Sequence, residues 1–223
     1  MIKQYFTTCR DGNIAYHVND VEKAVDKNRF NLGTKYNICT DSLKFMEQTH
    51  GCNIQVVNHN SKDCIKDCDA LITSDSNLPL MVMVADCIPI LIYDEKQKVI
   101  AAVHAGRNGT FLEIAKKTIS LMIEKFNCQT QDIKVTLGPS IQHCCYEVSL
   151  ELIEIVKTSF GEEFVNGRLI DLQKINKKQL LDIGIKNENI NISSICTKCS
   201  GQDYYSYRLD KKCGRFAGII VIE

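Results

Sequence analysis

The sequence predicts an α/β protein in which mixed β-sheets are flanked by helices. Three apolar runs, residues 81–85, 88–93 and 99–103, are too short for helices and rich in Val, Ile and Met, which is typical of central strands. After Gly109 the pattern changes, because apolar residues between 111 and 126 recur at helical spacing. Strands and helices are interspersed without a linker, an internal repeat or a low-complexity segment, so we expect one domain spanning residues 1–223.

The remaining predicted elements follow in chain order. The N-terminal segment predicts a strand, an Asp11-Gly12 turn and a second strand that carries Tyr16, His17 and Val18. Helices are predicted over residues 21–30, with Asp20 as the N-cap, over 148–160, and over 172–183, with Gly184 suited to the C-terminal cap. Further strands are predicted at residues 37–40, 43–48, 54–57, 68–73, 133–137, 190–195, 204–209 and 216–222, and a polar loop at 58–67.

Composition excludes several classes of protein. The chain has 223 residues, of which 44% are hydrophobic and 24% charged, as in an ordinary globular protein. Lys+Arg and Asp+Glu are both 27, which gives no support to nucleic-acid binding. There is no apolar run of about 18 residues, so no membrane span is expected. The first residues lack the apolar core of a signal peptide, and we expect a cytoplasmic protein.

The chain contains twelve cysteines, a high number for its length. Without an export signal, and with enough apolar residues for a core, these are expected to be reduced thiols. Most of them are expected to be packing residues, because a free cysteine behaves as a small hydrophobe.

Three residues have side chains suited to a metal site. Cys87 lies between two apolar runs, His104 follows a third, and His50 lies in a Gln-Thr-His-Gly turn. Taken singly, they could be a packed thiol, a satisfied histidine at a strand end and a surface turn residue. Together, two histidines and one cysteine are a plausible ligand set for catalytic zinc, which keeps a fourth position open and lowers the pKa of bound water to about 7. Sequence spacing alone leaves open whether the three meet in space.

The residues next to this set are candidates for catalysis and substrate binding. Asp86 is a carboxylate in a strongly apolar region and needs a partner or a function; it is our candidate general acid or base, or a residue that orients a ligand. Gly106 allows close approach of the backbone, and the helix expected from Thr110 directs its first amides toward an anion. We therefore predict that Gly106, Arg107 and Asn108 bind substrate, with the Arg107 guanidinium as a charge-assisted donor.

Other cysteine groups could also bind metal. Cys196 and Cys199 with Cys213 resemble a zinc knuckle but have no obvious fourth ligand. The pair Cys64 and Cys68 has the spacing of a metal loop but no matching second pair. Adjacent cysteines, here at positions 144 and 145, rarely bind one metal together. They lie in the 138–146 segment, a loop at the carboxyl end of a strand, where α/β folds often place sites.

Several motifs in one order now resemble a known family. They are QTHG (48–51), DCDALIT (67–73), ADCIPI (85–90), VHAG (103–106), GPSIQHCCYEV (138–148), ICT (195–197), YYSYRLD (204–210) and GRFAGIIVI (214–222). The chain resembles the laccase-domain or multicopper polyphenol oxidase family, also described as peptidoglycan editing factor-like, whose members are known as purine nucleoside phosphorylases with adenosine deaminase activity.

This resemblance implies a fold, a ligand set and an activity. It implies an α-β-β-α-like sandwich and a zinc ion bound by His50, Cys87 and His104, with copper the less favoured metal. It implies phosphorolysis of adenosine, inosine and methylthioadenosine, and deamination of adenosine, with nucleoside and phosphate as small-molecule partners. The family reads His-Ala-Gly-Trp-Arg-Gly, whereas here Arg107 and Asn108 follow Gly106, so the arginine has moved by one position.

Alternative functions use the same residues. A metal-free cysteine hydrolase would use Cys87 as nucleophile and His104 or His50 as base. A role in editing cell-wall precursors has also been attached to the family. A multicopper laccase is disfavoured because the chain has five histidines, and a blue-copper site because no methionine lies between residues 84 and 121. The zinc cytidine-deaminase pattern is missing. We expect a monomer or a homodimer that binds neither nucleic acid nor membrane.

Overall fold

Two stacked β-sheets form the centre of the fold. The computed structural model of the protein describes residues 1–18, 20–201 and 204–223, and within them the chain forms five α-helices and thirteen strands. The helices are α1 (Glu22–Tyr36), α2 (Arg107–Phe111), α3 (Ile114–Phe126), α4 (Leu150–Ser159) and α5 (Leu172–Asp182). The strands are β1 (Ile2–Phe6), β2 (Lys44–Met46), β3 (Ile54–Val56), β4 (Cys64–Ile65), β5 (Ala70–Thr73), β6 (Leu80–Val84), β7 (Ile88–Asp94), β8 (Val99–Ala105), β9 (Ile133–Leu137), β10 (Val165–Asn166), β11 (Leu169–Ile170), β12 (Ile190–Ile192) and β13 (Phe216–Ile222).

Both large sheets are mixed. One has the order β1-β13-β6-β2-β4, the other has the order β12-β9-β7-β8-β5-β3, and β10 pairs with β11 in a separate hairpin. In the six-stranded sheet the central strands β7 and β8 are antiparallel, whereas β12 with β9 and β3 with β5 are parallel pairs. The predicted mixed α/β fold is therefore confirmed.

Three apolar interfaces hold the layers together, giving the order helix, sheet, sheet, helix. One lies between the two sheets, one between the six-stranded sheet and helices α3, α4 and α5, and one between the five-stranded sheet and α1. This arrangement explains why β7 and β8 read as continuous apolar runs: alternate residues point to opposite faces, and both faces are covered. Representative residues of the three interfaces are Leu71, Leu91 and Phe216; Ile90, Ile119 and Ile153; and Leu32, Met81 and Ile219.

The predicted strand carrying Tyr16, His17 and Val18 is wrong. The Asn13 side chain instead closes a local turn, because its Oδ1 accepts the amide of Ala15 at 3.1 Å and also that of Arg215 at 2.9 Å. Local side-chain hydrogen bonds of this kind compete with strand pairing.

The first helix differs from its predicted bounds. It begins after Val21 rather than after an Asp20 cap, and it continues past residue 30 to Tyr36 because Leu32 is buried against the five-stranded sheet. Asn37, in the left-handed conformation, ends it where a strand over 37–40 was predicted. The predicted loop 58–67 contains the short strand β4.

Two further segments differ from the prediction. Residues 204–209 are not a strand; Ser206 instead caps a turn through its hydroxyl, which accepts the Leu209 amide. The single helix predicted from near Thr110 is two helices: α2 begins earlier, at Arg107, and Glu113, with a left-handed φ of 58°, separates it from α3. Across the part of the chain that the structure describes, no helix combines the length and apolarity needed to cross a membrane.

We expect that Leu91→Ala will destabilise the fold by about 2–5 kcal/mol, the range for a large-to-small change in a core. Leu91 is fully buried between the sheets. The matched control is Leu181→Ala on α5, where the side chain is 40% exposed, and a change of about 0.5 kcal/mol or less is expected there. Urea denaturation measures both; equal effects would contradict the assignment of the inter-sheet core.

Candidate metal centre and substrate cavity

The register of β7 against β8 brings Cys87 and His104 to the same edge of the sheet. The pairs are Ile88 with Ala105 and Pro89 with His104. Cys87 immediately precedes β7, and His104 is the penultimate residue of the antiparallel β8. Both side chains therefore lie on the face that points toward the second sheet, the one shared by Leu91.

His50 reaches the same edge from the loop between β2 and β3. It adopts a left-handed φ of 61°, which is costly for a residue with a Cβ. Its amide donates to Asp69 Oδ1 at 3.0 Å. Just before it, the Gln48 amide group pairs with both the backbone N–H and the C=O of Met83, at 2.9 and 2.8 Å. The loop is therefore fixed to both sheets.

The potential ligand atoms of His50, Cys87 and His104 all lie within 4.8 Å of one another. We call this group the His2Cys site. The two imidazole rings are 4.7 Å apart between centroids and stand edge to face at 79°. Two imidazole nitrogens and a thiolate at such separations fit a tetrahedral metal ion such as zinc, with a fourth position left for a small molecule.

Asp69 organises this site, although sequence analysis did not single it out. It is fully buried immediately before β5. One oxygen, Oδ1, lies 2.7 Å from His104 Nδ1, and the other, Oδ2, accepts the amides of Thr49 and Gly51 at 3.2 and 2.8 Å. Burial raises the pKa of Asp69, but the hydrogen bonds from His104, Gly51 and Thr49 lower it to about 2.

The contact with Asp69 fixes the orientation of His104. Because Nδ1 faces the carboxylate, it carries the hydrogen, and Nε2 is free to bind a cation. A carboxylate behind a ligand histidine is a common support for bound metal. The sequence held a signal for Asp69, because this carboxylate directly precedes a short apolar strand. Asp86 was singled out by similar reasoning, as a carboxylate within apolar sequence.

Charge within the site favours the thiolate. Burial raises the pKa of the Cys87 thiol, but His104 and then His50 outweigh this effect and lower it below the usual range. Burial lowers the pKa of His104, whereas the Cys87 thiolate and Asp69 raise it. Without a metal, these opposing charges favour a thiolate beside an imidazolium, and a divalent cation bound to both side chains would displace the imidazolium proton.

Gly106 provides the space in which these ligands meet. A Cβ at this position would lie 2.9 Å from Cys87 Sγ and 3.2 Å from His50 Cδ2. Its backbone conformation is ordinary, so the requirement for glycine here is one of volume. Substrate binding by Gly106 stays a prediction. Its closeness to Cys87 and His50 follows from the two distances above.

A cavity of about 520 Å³ opens above the His2Cys site. Tyr146 and Tyr207 supply aromatic rings, and Arg208 and Arg215 supply positive charge. This size and mixture suit a small polar ligand with a flat apolar part. The other lining residues are His17, Gln48, His50, Met83, Val84, Ala85, Asp86, Cys87, His104 and Ile141.

A second cavity of about 500 Å³ lies between α3, α4 and α5. Phe111, Phe160 and Phe164 are among its lining residues, which include charged groups but neither cysteine nor histidine. The two cavities have similar volumes. Cys87 and His104, whose pKa values are shifted, line the first cavity, which makes it the better candidate for catalysis.

Asp86 lines the cavity but both its oxygens are occupied. Oδ1 accepts the Thr197 hydroxyl at 2.7 Å and Oδ2 accepts the Arg208 amide at 2.6 Å, while its carbonyl accepts the Ile141 amide at 2.9 Å. Asp86 has a φ of 87°, so it too is held in an unfavourable conformation. These contacts hold the backbone immediately before Cys87 in place. A role of Asp86 as general acid or base stays a prediction.

Arg107 and Asn108 are exposed and do not line the cavity. The Arg107 Nε donates to Asn108 Oδ1 at 3.2 Å. Burial raises the pKa of Tyr146, and the positive charge of Arg107 acts against this. The helix there, α2, has only five residues, so the predicted anion site at its first amides has little support. Sequence analysis singled out neither of the lining arginines: Arg208 lay in a segment predicted as a strand, and Arg215 lay just before another predicted strand.

Comparison with known proteins identifies relatives over nearly the whole chain. The family model described as multi-copper polyphenol oxidoreductase laccase matches residues 4–223. A purine nucleoside phosphorylase of Clostridium acetobutylicum is 36% identical over 97% of this chain and 90% of its own length. The purine nucleoside phosphorylase YlmD of Bacillus subtilis is 29% identical over 93% of this chain and 81% of its own.

Solved structures agree with the fold. The hypothetical protein YfiH of Bacillus licheniformis superposes with a TM-score of 0.93 at 27% identity, over 100% of this chain and 93% of the other. YlmD of Geobacillus stearothermophilus superposes with a TM-score of 0.88 at 27% identity, over 95% of this chain and 84% of the other.

Asp69→Asn is expected to weaken zinc binding by about 10–100-fold, the usual cost of removing a carboxylate behind a ligand histidine. Competition with a chromogenic chelator measures the affinity. Asp75→Asn is the control, because Asp75 lies in the loop after β5 and accepts the His59 amide instead of supporting a ligand histidine. Unchanged affinity in Asp69→Asn would contradict the role assigned to this carboxylate.

Gly106→Ala is expected to cost about 1–3 kcal/mol of zinc-binding free energy, because the added methyl group overpacks the ligand residues. Gly51→Ala is a matched control in the neighbouring loop, where a Cβ would meet its nearest atoms at an ordinary 3.5 Å. The same competition assay compares them, and a larger effect at Gly51 would refute the volume argument.

Proposed function

Because the chain belongs to the multi-copper polyphenol oxidoreductase laccase family, and curated relatives are named purine nucleoside phosphorylases, we propose that it is a zinc-dependent purine nucleoside phosphorylase. The proposed substrates are adenosine, inosine and methylthioadenosine, with adenosine deamination as a second activity. The observation that carries the proposal is the convergence of His50, Cys87 and His104 beneath a cavity of nucleoside size.

The metal of the His2Cys site is proposed to be zinc. Zinc bound there would act as a Lewis acid and lower the pKa of a bound water to about 7. The thiolate of Cys87 and the oriented His104 support a borderline-soft cation. A multicopper oxidation centre requires many more histidines than the five in this chain.

The cavity residues fit the two parts of the reaction. Tyr146 and Tyr207 could stack on a purine ring, and Arg208 and Arg215 could neutralise phosphate. In phosphorolysis a phosphate oxygen forms a bond to the ribose C1′ while the C1′–N9 bond breaks, and its electron pair leaves with the purine, which takes up a proton. Positive charge near the phosphate holds the nucleophile against the sugar.

In the proposed deamination, water adds to the purine carbon that carries the amine, and ammonia leaves after gaining a proton. Asp86 is the proposed proton carrier because its carboxylate lines the cavity next to Cys87. Its hydrogen bonds from the Thr197 hydroxyl and the Arg208 amide would hold the carboxylate in a fixed orientation.

A second candidate function is a metal-free cysteine hydrolase. One observation favours it: Cys87, His104 and Asp69 form a thiolate, imidazole and carboxylate series, the order found in nucleophilic triads. A triad does not require His50. The zinc hypothesis accounts for it, because its ligand nitrogen lies within 4.8 Å of the ligand atoms of Cys87 and His104.

The experiment is zinc quantification followed by a nucleoside assay with and without phosphate. We expect about one zinc ion bound at the His2Cys site, free base and ribose 1-phosphate only when phosphate is present, and inosine from adenosine in either case. His50→Ala should lose that zinc and both activities, because it removes a ligand. His59→Ala is the control, since His59 lies in an exposed loop against Ser76.

Three outcomes would contradict the proposal in different ways. Full activity in metal-free protein that is inactivated by alkylation of Cys87 would support the hydrolase. Zinc binding with nucleosides unchanged after long incubation would leave the metal site intact and favour the cell-wall editing role. Activity that survives in His50→Ala would show that this histidine is not required for the reaction.

A further inference from the structure

Four of the twelve cysteines form a second cluster, away from the His2Cys site. Cys144 and Cys145 lie in the turn after β9, and Cys196 and Cys199 lie in the turn after β12. Their four sulfur atoms are all within 4.8 Å of one another, and the Sγ atoms of Cys144 and Cys199 are 3.5 Å apart. We call these residues the four-cysteine cluster.

We propose that the four-cysteine cluster is a second, structural zinc site in which Cys144, Cys145, Cys196 and Cys199 are the four ligands. Four thiolates around zinc at a Zn–S distance of about 2.3 Å place their sulfurs about 3.8 Å apart. The Cys144–Cys199 sulfur separation of 3.5 Å is close to that value, and the other pairs lie within 4.8 Å. A complete set of four thiolates leaves no open position, as in structural rather than catalytic zinc sites.

Backbone amides around the cluster are directed at one of its sulfurs. The amides of Gln142, Lys198 and Cys199 lie within hydrogen-bond reach of Cys196 Sγ. Amide groups directed at a ligand sulfur disperse the charge that a tetrathiolate site accumulates. The Cys196-x-x-Cys199 spacing supplies two ligands from one turn in the usual way.

Adjacent cysteines can share a metal here because of their turn. The amides of Cys145 and Tyr146 both donate to the Gln142 carbonyl, at 2.9 and 3.0 Å, which bends the chain tightly. The Gln142 side chain also donates to the Ile195 carbonyl at 3.2 Å, so it links this turn to the segment that carries Cys196. The two ligand pairs are thus held against each other independently of any metal.

The cluster is distinct from the zinc knuckle that the sequence indicated. Cys213 does not belong to it; the guanidinium of Arg215 lies 3.9 Å from the Cys213 sulfur. Within residues 1–18, 20–201 and 204–223, the pair Cys64 and Cys68 is not part of any group of this kind. The adjacent pair at 144 and 145 supplies two ligands, one in place of Cys213 and one as the fourth ligand that the knuckle lacked.

The position of the cluster gives the second zinc a role. Thr197, between two of the ligands, donates its hydroxyl to Asp86 at 2.7 Å and its amide to the Ser140 carbonyl at 3.0 Å. Tyr146, immediately after Cys145, lines the substrate cavity. Zinc in the cluster would therefore hold one wall of the cavity and the partner of Asp86, without contacting substrate.

The test is zinc content per chain after anaerobic purification with a phosphine reductant. Cys199→Ser is expected to contain about one zinc ion fewer than the wild type, and Cys213→Ser, the matched control, to equal it. His50→Ala should lose only the zinc of the His2Cys site, so failure of the proposed function and failure of the cluster give different results. Cobalt substitution should give the intense thiolate charge-transfer absorption of a tetrathiolate centre in His50→Ala, and lose it in His50→Ala/Cys199→Ser.

Folding of the variants is checked by thermal denaturation. A chelator should lower the melting temperature of His50→Ala and leave that of His50→Ala/Cys199→Ser unchanged, because only the former still has a structural metal. Equal zinc in Cys199→Ser and wild type would overturn the proposal. So would intact mass after alkylation showing these four residues joined as disulfides in freshly prepared protein.

Discussion

The site depends on one buried carboxylate. Asp69 accepts hydrogen bonds from His104 and from the amides of His50 and Gly51, so a single side chain fixes a strand end and a loop. Burying an ion without partners would be strongly unfavourable, and here every partner is supplied by a neighbouring functional element. The cost of isolating Asp69 from water is therefore offset only when the two histidines are in place, which links correct local folding to correct placement of the ligands.

Much of the fold could be predicted because its strongest signals come from burial on both sides of a sheet. The runs that became β6, β7 and β8 are apolar on every residue, and the amphipathic pattern of α3 is equally direct. The failures came where side chains replace regular backbone pairing. Asn13 and Ser206 each close a turn in a segment whose β-branched and aromatic residues predicted a strand.

The candidate site likewise has residues that a local sequence pattern predicts and residues that only the tertiary packing brings in. Cys87 and His104 could be predicted as a pair because both lie at strand ends, and His50 because imidazole and thiolate are suitable ligands for one metal. Asp69, Arg208 and Arg215 were missed because their importance comes from packing between segments distant in sequence, which spacing does not encode. The four-cysteine cluster shows the limit most clearly: its two pairs are about 50 residues apart, and the parallel pairing of β12 with β9, together with the Gln142 side chain, brings their turns together.

The turn that joins β7 to β8 lies at the far end of the hairpin from the metal ligands. Asp94 pairs with Val99 beside this turn, and Ile88 pairs with Ala105 beside the ligands, a separation of about 20 Å along the strands. Register in a hairpin is set by the length of its loop, and a slip of one residue turns side chains to the opposite face. A one-residue insertion at positions 95–98 that shifted this register would direct Cys87 or His104 toward the helices. The length of this distant, exposed loop therefore constrains the geometry of the His2Cys site, although its residues lie at the opposite end of the hairpin.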